Sequence, residues 1–291
     1  MKRIMTMAAL ILLGLQIVRN AGAQVIINIV NSDEVLKTEP IDEVLFTAQY
    51  RMTSVADTLH PDIKTEEMMM LKTGARSSVF YSYAKFLADS VVEADKASGA
   101  SRDVIAEHLR NYQSRVNYKI YKNYPEGKVT TLEQLAMNRF RCEEVNERPG
   151  WELLPDTMTI LSYPCRKAVC RFKGRTYEAW FAPDIPRSEG PWKLHGLPGL
   201  ILKAADSRGE YLFECTGLIQ SRGQESIQYG DAGHEPISRR NLNRQYERYA
   251  ADPVGYVTAS NPNVKVRIQN EEGQSIRPKN TPYNPIERTE E

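Results

Sequence analysis

The chain has 291 residues, with 38 basic and 37 acidic side chains and a formal net charge of +1. That balance supplies no broad positive field, so nucleic acid and anionic lipid surfaces are excluded as general partners. The length suits one large domain or two small ones, with a sizeable core.

The first residues read as an export signal. Lys2 and Arg3 precede an apolar run from Ile4 to Val18, and Ala21-Gly22-Ala23 supplies the small residues of a cleavage site. This order predicts a signal peptide over residues 1–23, cleaved before Gln24, and a periplasmic or secreted protein. The apolar run is too short for a comfortable membrane span. No other long apolar stretch follows, so no transmembrane span is expected after cleavage. Cleavage also removes Lys2, Arg3 and Arg19, which takes the net charge to −2. Residues 24–260 are expected to form a single β-rich domain. Residues 261–291 read as a polar, extended tail with at most one strand, near Val264–Ile268.

Alternation with short turns dominates the middle of the chain. Phe46, Ala48, Tyr50 and Met52 share one face of a strand. Residues 67–73 and 77–83 read as a hairpin around Gly74. A helical insertion is expected over 84–115: one helix from Tyr83 to Lys96, and one over 102–114 capped by Ser101. Val104, Ile105, His108, Leu109 and Tyr112 form the apolar stripe of the second, so His108 reads as a packing residue. Residues 116–123 form a strand closed by Pro125-Glu126-Gly127. Thr130-x-x-Glu133 resembles a capping box for a helical turn. Residues 157–163 and 167–172 are strand-like, with a break at Pro164. A tight turn at Phe172-Lys173-Gly174-Arg175 leads into Tyr177–Phe181. Leu200–Ala204 and Tyr211–Cys215 form a further hairpin. Ser238 caps a helix through about Tyr249, stopped by Asp252-Pro253. The predicted fold is mainly β (α+β): a single curved antiparallel sheet, half-barrel-like, with a few helices packed on it.

Candidate chemistry is sparse. No nucleophile elbow, phosphate loop, dinucleotide glycine pattern or zinc-protease motif is present. The histidines are His60, His108, His195 and His234, and no two share a metal-binding spacing. Cys142, Cys165, Cys170 and Cys215 lack zinc spacings and are disulfide candidates for an exported chain. On one continuous strand Cys165 and Cys170 would face opposite ways, about 16 Å apart at about 3.3 Å per residue. A disulfide needs roughly 7 Å or less. They are therefore expected to bond elsewhere, with Cys142 and Cys215 as available partners, or to stay free. Asp184 and Asp206 read as surface acids. No cofactor and no metal are expected. A hydrolase with a site near His195, served by Cys165 or Cys170, is the enzymatic alternative.

The segment from Ala182 to Leu202 is dense in proline and glycine. Pro198-Gly199 suits the centre of a type II turn. Trp192, Leu194 and Leu197 are apolar enough to fold this loop back on the sheet, which predicts a mainly structural role, with a contact surface as the functional alternative. Gly196-Leu197-Pro198-Gly199-Leu200-Ile201 resembles the signature of the GLPGLI family of exported proteins from Gram-negative bacteria. Asp184-Ile185-Pro186, Gly190-Pro191-Trp192, Cys165-Arg166-Lys167-Ala168, Phe172-x-Gly174-Arg175, Ala179-Trp180-Phe181 and Pro282-Tyr283-Asn284-Pro285-Ile286-Glu287 extend the resemblance. It implies a periplasmic protein without an assigned activity. The function expected is a non-enzymatic binding or accessory protein, with an apolar ligand or an outer-membrane transport component as partner.

Overall fold

The computed structural model describes residues 24–27, 38–112, 114–221, 225–260, 266–269, 274–277 and 280–288. The signal peptide expected over residues 1–23 lies outside them. Strands β1 (Gln24–Ile27), β2 (Glu39–Glu43), β3 (Phe46–Val55), β4 (Lys64–Thr73) and β5 (Ser78–Ser82) lead into helices α1 (Tyr83–Ala97) and α2 (Arg102–Leu109). Then come β6 (Tyr118–Lys122), β7 (Lys128–Leu135), β8 (Asn138–Val145), β9 (Glu152–Ile160), β10 (Tyr163–Phe172), β11 (Arg175–Ala182), β12 (Leu200–Asp206), β13 (Tyr211–Gln220), β14 (Ser226–Tyr229) and β15 (Glu235–Pro236). Helices α3 (Arg239–Ala251) and α4 (Pro253–Ser260) and strands β16 (Val266–Gln269) and β17 (Ser275–Ile276) follow.

The protein is mostly β. Twelve strands form one sheet in the order β15-β8-β7-β6-β5-β4-β3-β13-β12-β11-β10-β9. Every pairing in it is antiparallel except β15 with β8, which corrects the all-antiparallel expectation at that edge. The sheet is strongly curled and does not close. Phe80 on β5 and Phe213 on β13 lie three strands apart, about 14 Å on a flat sheet, yet their rings are 6.2 Å apart. The inner face carries the alternating apolar residues of β3 (Ala48, Tyr50, Met52) together with Leu71, Ile120, Phe172, Ala179, Leu202 and Phe213. The outer face of β4–β7 is covered as well, where Met70, Tyr81, Tyr121 and Leu132 pack with Ile227 and Tyr229 of the small β2–β14 sheet.

Several local expectations are overturned by tertiary pairing. Thr130–Glu133 lies in β7 and starts no helix, because β7 is paired on both sides, by β6 and β8. Pro164 does not break β10. The two-residue turn Leu161-Ser162 has φ of +49° and +69°, which makes Ile160–Tyr163 the hydrogen-bonded pair. Pro164 then faces Thr159 at a non-bonded pair, where no amide donor is needed. A bulge between Arg166 and Ala168 shifts the alternation, so Cys165 and Cys170 are both buried in the inner cluster. They do not face opposite ways.

Both insertion helices begin at a serine whose hydroxyl accepts an amide, Ser82 from Lys85 and Ser101 from Val104. α1 is thinly packed, with only Ala88 buried. His108 is half-exposed and hydrogen-bonds Asp95 at 2.9 Å, so it ties α2 to α1 and does not pack in an apolar stripe. Residues 280–288, expected in a polar tail, return to the domain: Asn284 and Glu287 are buried.

Candidate functional site

The loop from 183 to 199, between β11 and β12, fills the inside of the curl. Leu194 N–H donates to the Pro191 carbonyl at 3.0 Å, and Trp192 sits at φ +52°. That conformation turns the indole inward, 5.9 Å from both Phe172 and Tyr177. Leu194 and Leu197 are fully buried beside it. The surrounding wall supplies the loop's hydrogen bonds. Buried Lys122 on β6 donates to the Gly190 carbonyl at 2.8 Å and pairs with Glu189. Trp151 Nε1 donates to the His195 carbonyl at 2.8 Å, and Arg148 donates to that of Gly196.

The turn at the end of the motif is tighter than a type II turn. Gly199 N–H donates to the Leu197 carbonyl at 2.8 Å, closing a three-residue turn on Pro198, while Leu200 N–H goes to Ile185. Gly199 has φ +151°, and a β-carbon there would lie 2.3 Å from the Ala182 carbonyl oxygen. Close backbone approach therefore requires the glycine.

The open seam of the curl is bridged by buried charge. Lys193 of the loop contacts Glu144 of β8 and Glu287 of the tail, the latter at 2.6 Å. Lys173, in the β10–β11 turn, reaches Glu144 at 3.4 Å. Arg239, at the start of α3, reaches Glu144 at 3.2 Å, Glu287 at 3.3 Å and Glu133 at 3.7 Å. Three cations thus face three buried carboxylates, and Lys173 also lies 3.8 Å from the exposed Glu147. Burial raises the Glu144 carboxyl, but Lys193, Arg239 and Lys173 outweigh this and hold it at about 2. Glu133 goes the other way: burial raises it despite Arg239 and the Tyr246 hydroxyl. A shallow crevice at the seam is lined by Val129, Glu144, Val145, Glu147, Phe172, Lys173 and Lys193.

Beside this net, Arg175 grips the tail. Its Nη1 binds Asp206 and Glu210, each at 2.7 Å. Its Nε and Nη2 donate to the Ile286 carbonyl at 3.0 Å, the Pro285 carbonyl at 2.6 Å and Asn284 Oδ1 at 2.8 Å. All five guanidinium donors are used. Tyr211 lies under the guanidinium at 4.7 Å and donates its hydroxyl to the Asn284 carbonyl at 2.6 Å. Asn284 Nδ2 donates to the Val55 carbonyl at 2.8 Å. Gly174 (φ +74°) lets the tail pass: a β-carbon there would lie 2.6 Å from Arg288.

The other candidates disperse. His60 pairs with Asp57 in an exposed turn, and His234 lies 3.3 Å from the Ala232 carbonyl. His195 Nδ1 is 3.0 Å from the Lys193 carbonyl, and burial, with Lys122, lowers its pKa. The four cysteines are buried and unbonded. Burial pushes Cys142 to about 11 and Cys170 and Cys215 to about 12. Asp184 is exposed, whereas Asp206 is not a surface acid: it is buried against Arg175. Arg175 and Glu287 stand in the sequence only as parts of matched motifs, and Lys193, Glu144 and Arg239 carry no signal, because charged residues have no periodicity that distinguishes a buried ion from a surface one.

No curated protein matches the chain. Among solved structures it is similar to PNGF-II in a P21 crystal form, at 12% identity over 69% of this chain and 32% of that one, with a TM-score of 0.46. The same protein in a C2 form matches at 14% identity over 70% of this chain and 32% of that one, with a TM-score of 0.45. The chain thus spans about a third of the PNGF-II chain's length. Residues 171–203, which carry Gly174, Arg175, Lys193 and the whole inward loop, match the model of a family described as a protein of unknown function, Porph_ging.

Proposed function

We propose that this chain is a GLPGLI-type protein, exported to the periplasm after cleavage before Gln24. It works there as a non-enzymatic accessory protein whose partner is another protein, such as an outer-membrane transport component. The observation that carries the reading is the filled interior. A half-barrel that carries an apolar ligand needs a chamber, and here Trp192, Leu194 and Leu197 of its own loop occupy that space. A hydrolase at His195 would need a nucleophile within hydrogen-bond reach. Among the described residues the imidazole bonds a backbone carbonyl, and the thiols are held protonated by burial.

Native mass spectrometry of the protein purified from its own cell envelope tests this. A stoichiometric protein partner is expected. A lipid-sized adduct in place of a protein would overturn it in favour of a carrier. Amino-terminal sequencing of the same sample is expected to begin at Gln24.

A further inference from the structure

The Arg175 groove is held in part by residues outside the tail. Asp206 is fixed by two amides, those of Glu210 and Tyr211, each at 2.8 Å to Oδ1. Asp206 and Glu210 in turn fix Nη1 of Arg175. The remaining three donors point at one line of chain. What they read is specific: the main-chain carbonyls of two successive residues and the amide side chain before them. The Tyr211 hydroxyl reads the carbonyl of that same asparagine. Further along, Lys193, Lys173 and Arg239 converge on the Glu287 carboxylate. With that carboxylate gone, these three cations would keep the buried Glu133 and Glu144, and Lys173 the exposed Glu147 at 3.8 Å.

We propose that this groove is a peptide-recognition site for an Asn-Pro-x-Glu segment that bends at its last two residues. The chain's own residues 284–287 are its tethered resident, and the partner protein presents a segment of the same chemistry. Partner binding then means displacement of the tail. The proposal deepens the accessory-protein reading and rests on it. A docked tail lowers the apparent affinity for an incoming segment by the fraction of time the groove stands open.

The test uses the full chain and a labelled peptide of residues 281–288. Fluorescence anisotropy is measured with wild type and with the Asn284→Ala/Glu287→Gln chain, whose tail is weakened and whose groove is intact. Saturable binding is expected to the double variant, about ten-fold or more tighter than to wild type. It should be lost when the peptide itself carries the same two changes. Equal binding of the changed peptide overturns the proposal, as does no binding to a double variant that melts cooperatively. If the double variant does not fold, the wild-type chain decides through the Arg288 amide, which donates to the Lys173 carbonyl at 3.0 Å. In the 15N-labelled protein, excess unlabelled peptide is expected to shift the Arg288 amide signal and speed its exchange, and an unmoved signal overturns displacement. Failure here leaves the accessory-protein reading to its own mass-spectrometric test.

Discussion

At the scale of single residues, the loop depends on backbone positions that few side chains tolerate. Gly199→Val places a branched side chain at φ +151°, against the Ala182 carbonyl. The backbone conformation alone is expected to cost about 1–3 kcal/mol, read as a lower urea midpoint at unchanged slope. Trp192 holds its own strained angle because its buried ring over-determines it. Glu144 sets an acid limit. Its folded pKa of about 2 lies below the ordinary 4.5, so the folded state binds fewer protons between these values. Its contribution is therefore complete above about pH 4.5 and is lost as pH falls towards about 2. In Glu144→Gln, the dependence of melting temperature on pH across that window is expected to be shallower than in wild type.

At the scale of elements, the insertion and the hairpins differ in how firmly they are held. β3 pairs along its length with β4 and β13, whereas α1 buries a single residue. Amides of α1 and α2 are expected to exchange with deuterium well before those of β3 and β4. Equal protection would show that the helices are held by contacts other than those seen. The β10 bulge aligns Cys165 and Cys170 on one face but leaves them far along one strand. A peptide map made without reductant is expected to show no Cys165–Cys170 link, and all four thiols should be alkylated after unfolding.

At the scale of the whole molecule, the curl is closed by side chains across its seam and not by strand pairing. Lys193, Arg239 and Lys173 join β7, β8, the inward loop, α3, the β10–β11 turn and the tail through the carboxylates of Glu133, Glu144 and Glu287. Removing one partner of a buried set leaves an uncompensated charge. Glu287→Ala is therefore expected to cost roughly 3–5 kcal/mol. If thermal unfolding of this variant matched wild type, the tail would be an appendage and not part of the domain.

The strands were legible in the chain wherever apolar residues alternate with period two, as at Phe46, Ala48, Tyr50 and Met52. The helix starts at Ser82, Ser101 and Ser238 follow local capping rules, and Ser101 and Ser238 could be named from sequence alone. The density of proline and glycine from Pro183 to Gly199 likewise marked a fixed loop. Local signals failed where a distant partner decides. Thr130-x-x-Glu133 is a strand because β6 and β8 flank it, and Glu133 meets Tyr246 and Arg239 there, not a helix start. Pro164 stays in a strand because the register spares it a donor. Which charges are buried could not be read either: Arg175, Lys193 and Glu287 look like any solvated residue until chain segments about a hundred residues apart meet. Composition and periodicity act along the chain and so determined the elements and the loop. The curl, the seam and the groove depend on long-range pairing of charges and carbonyls, and only the tertiary structure decided them.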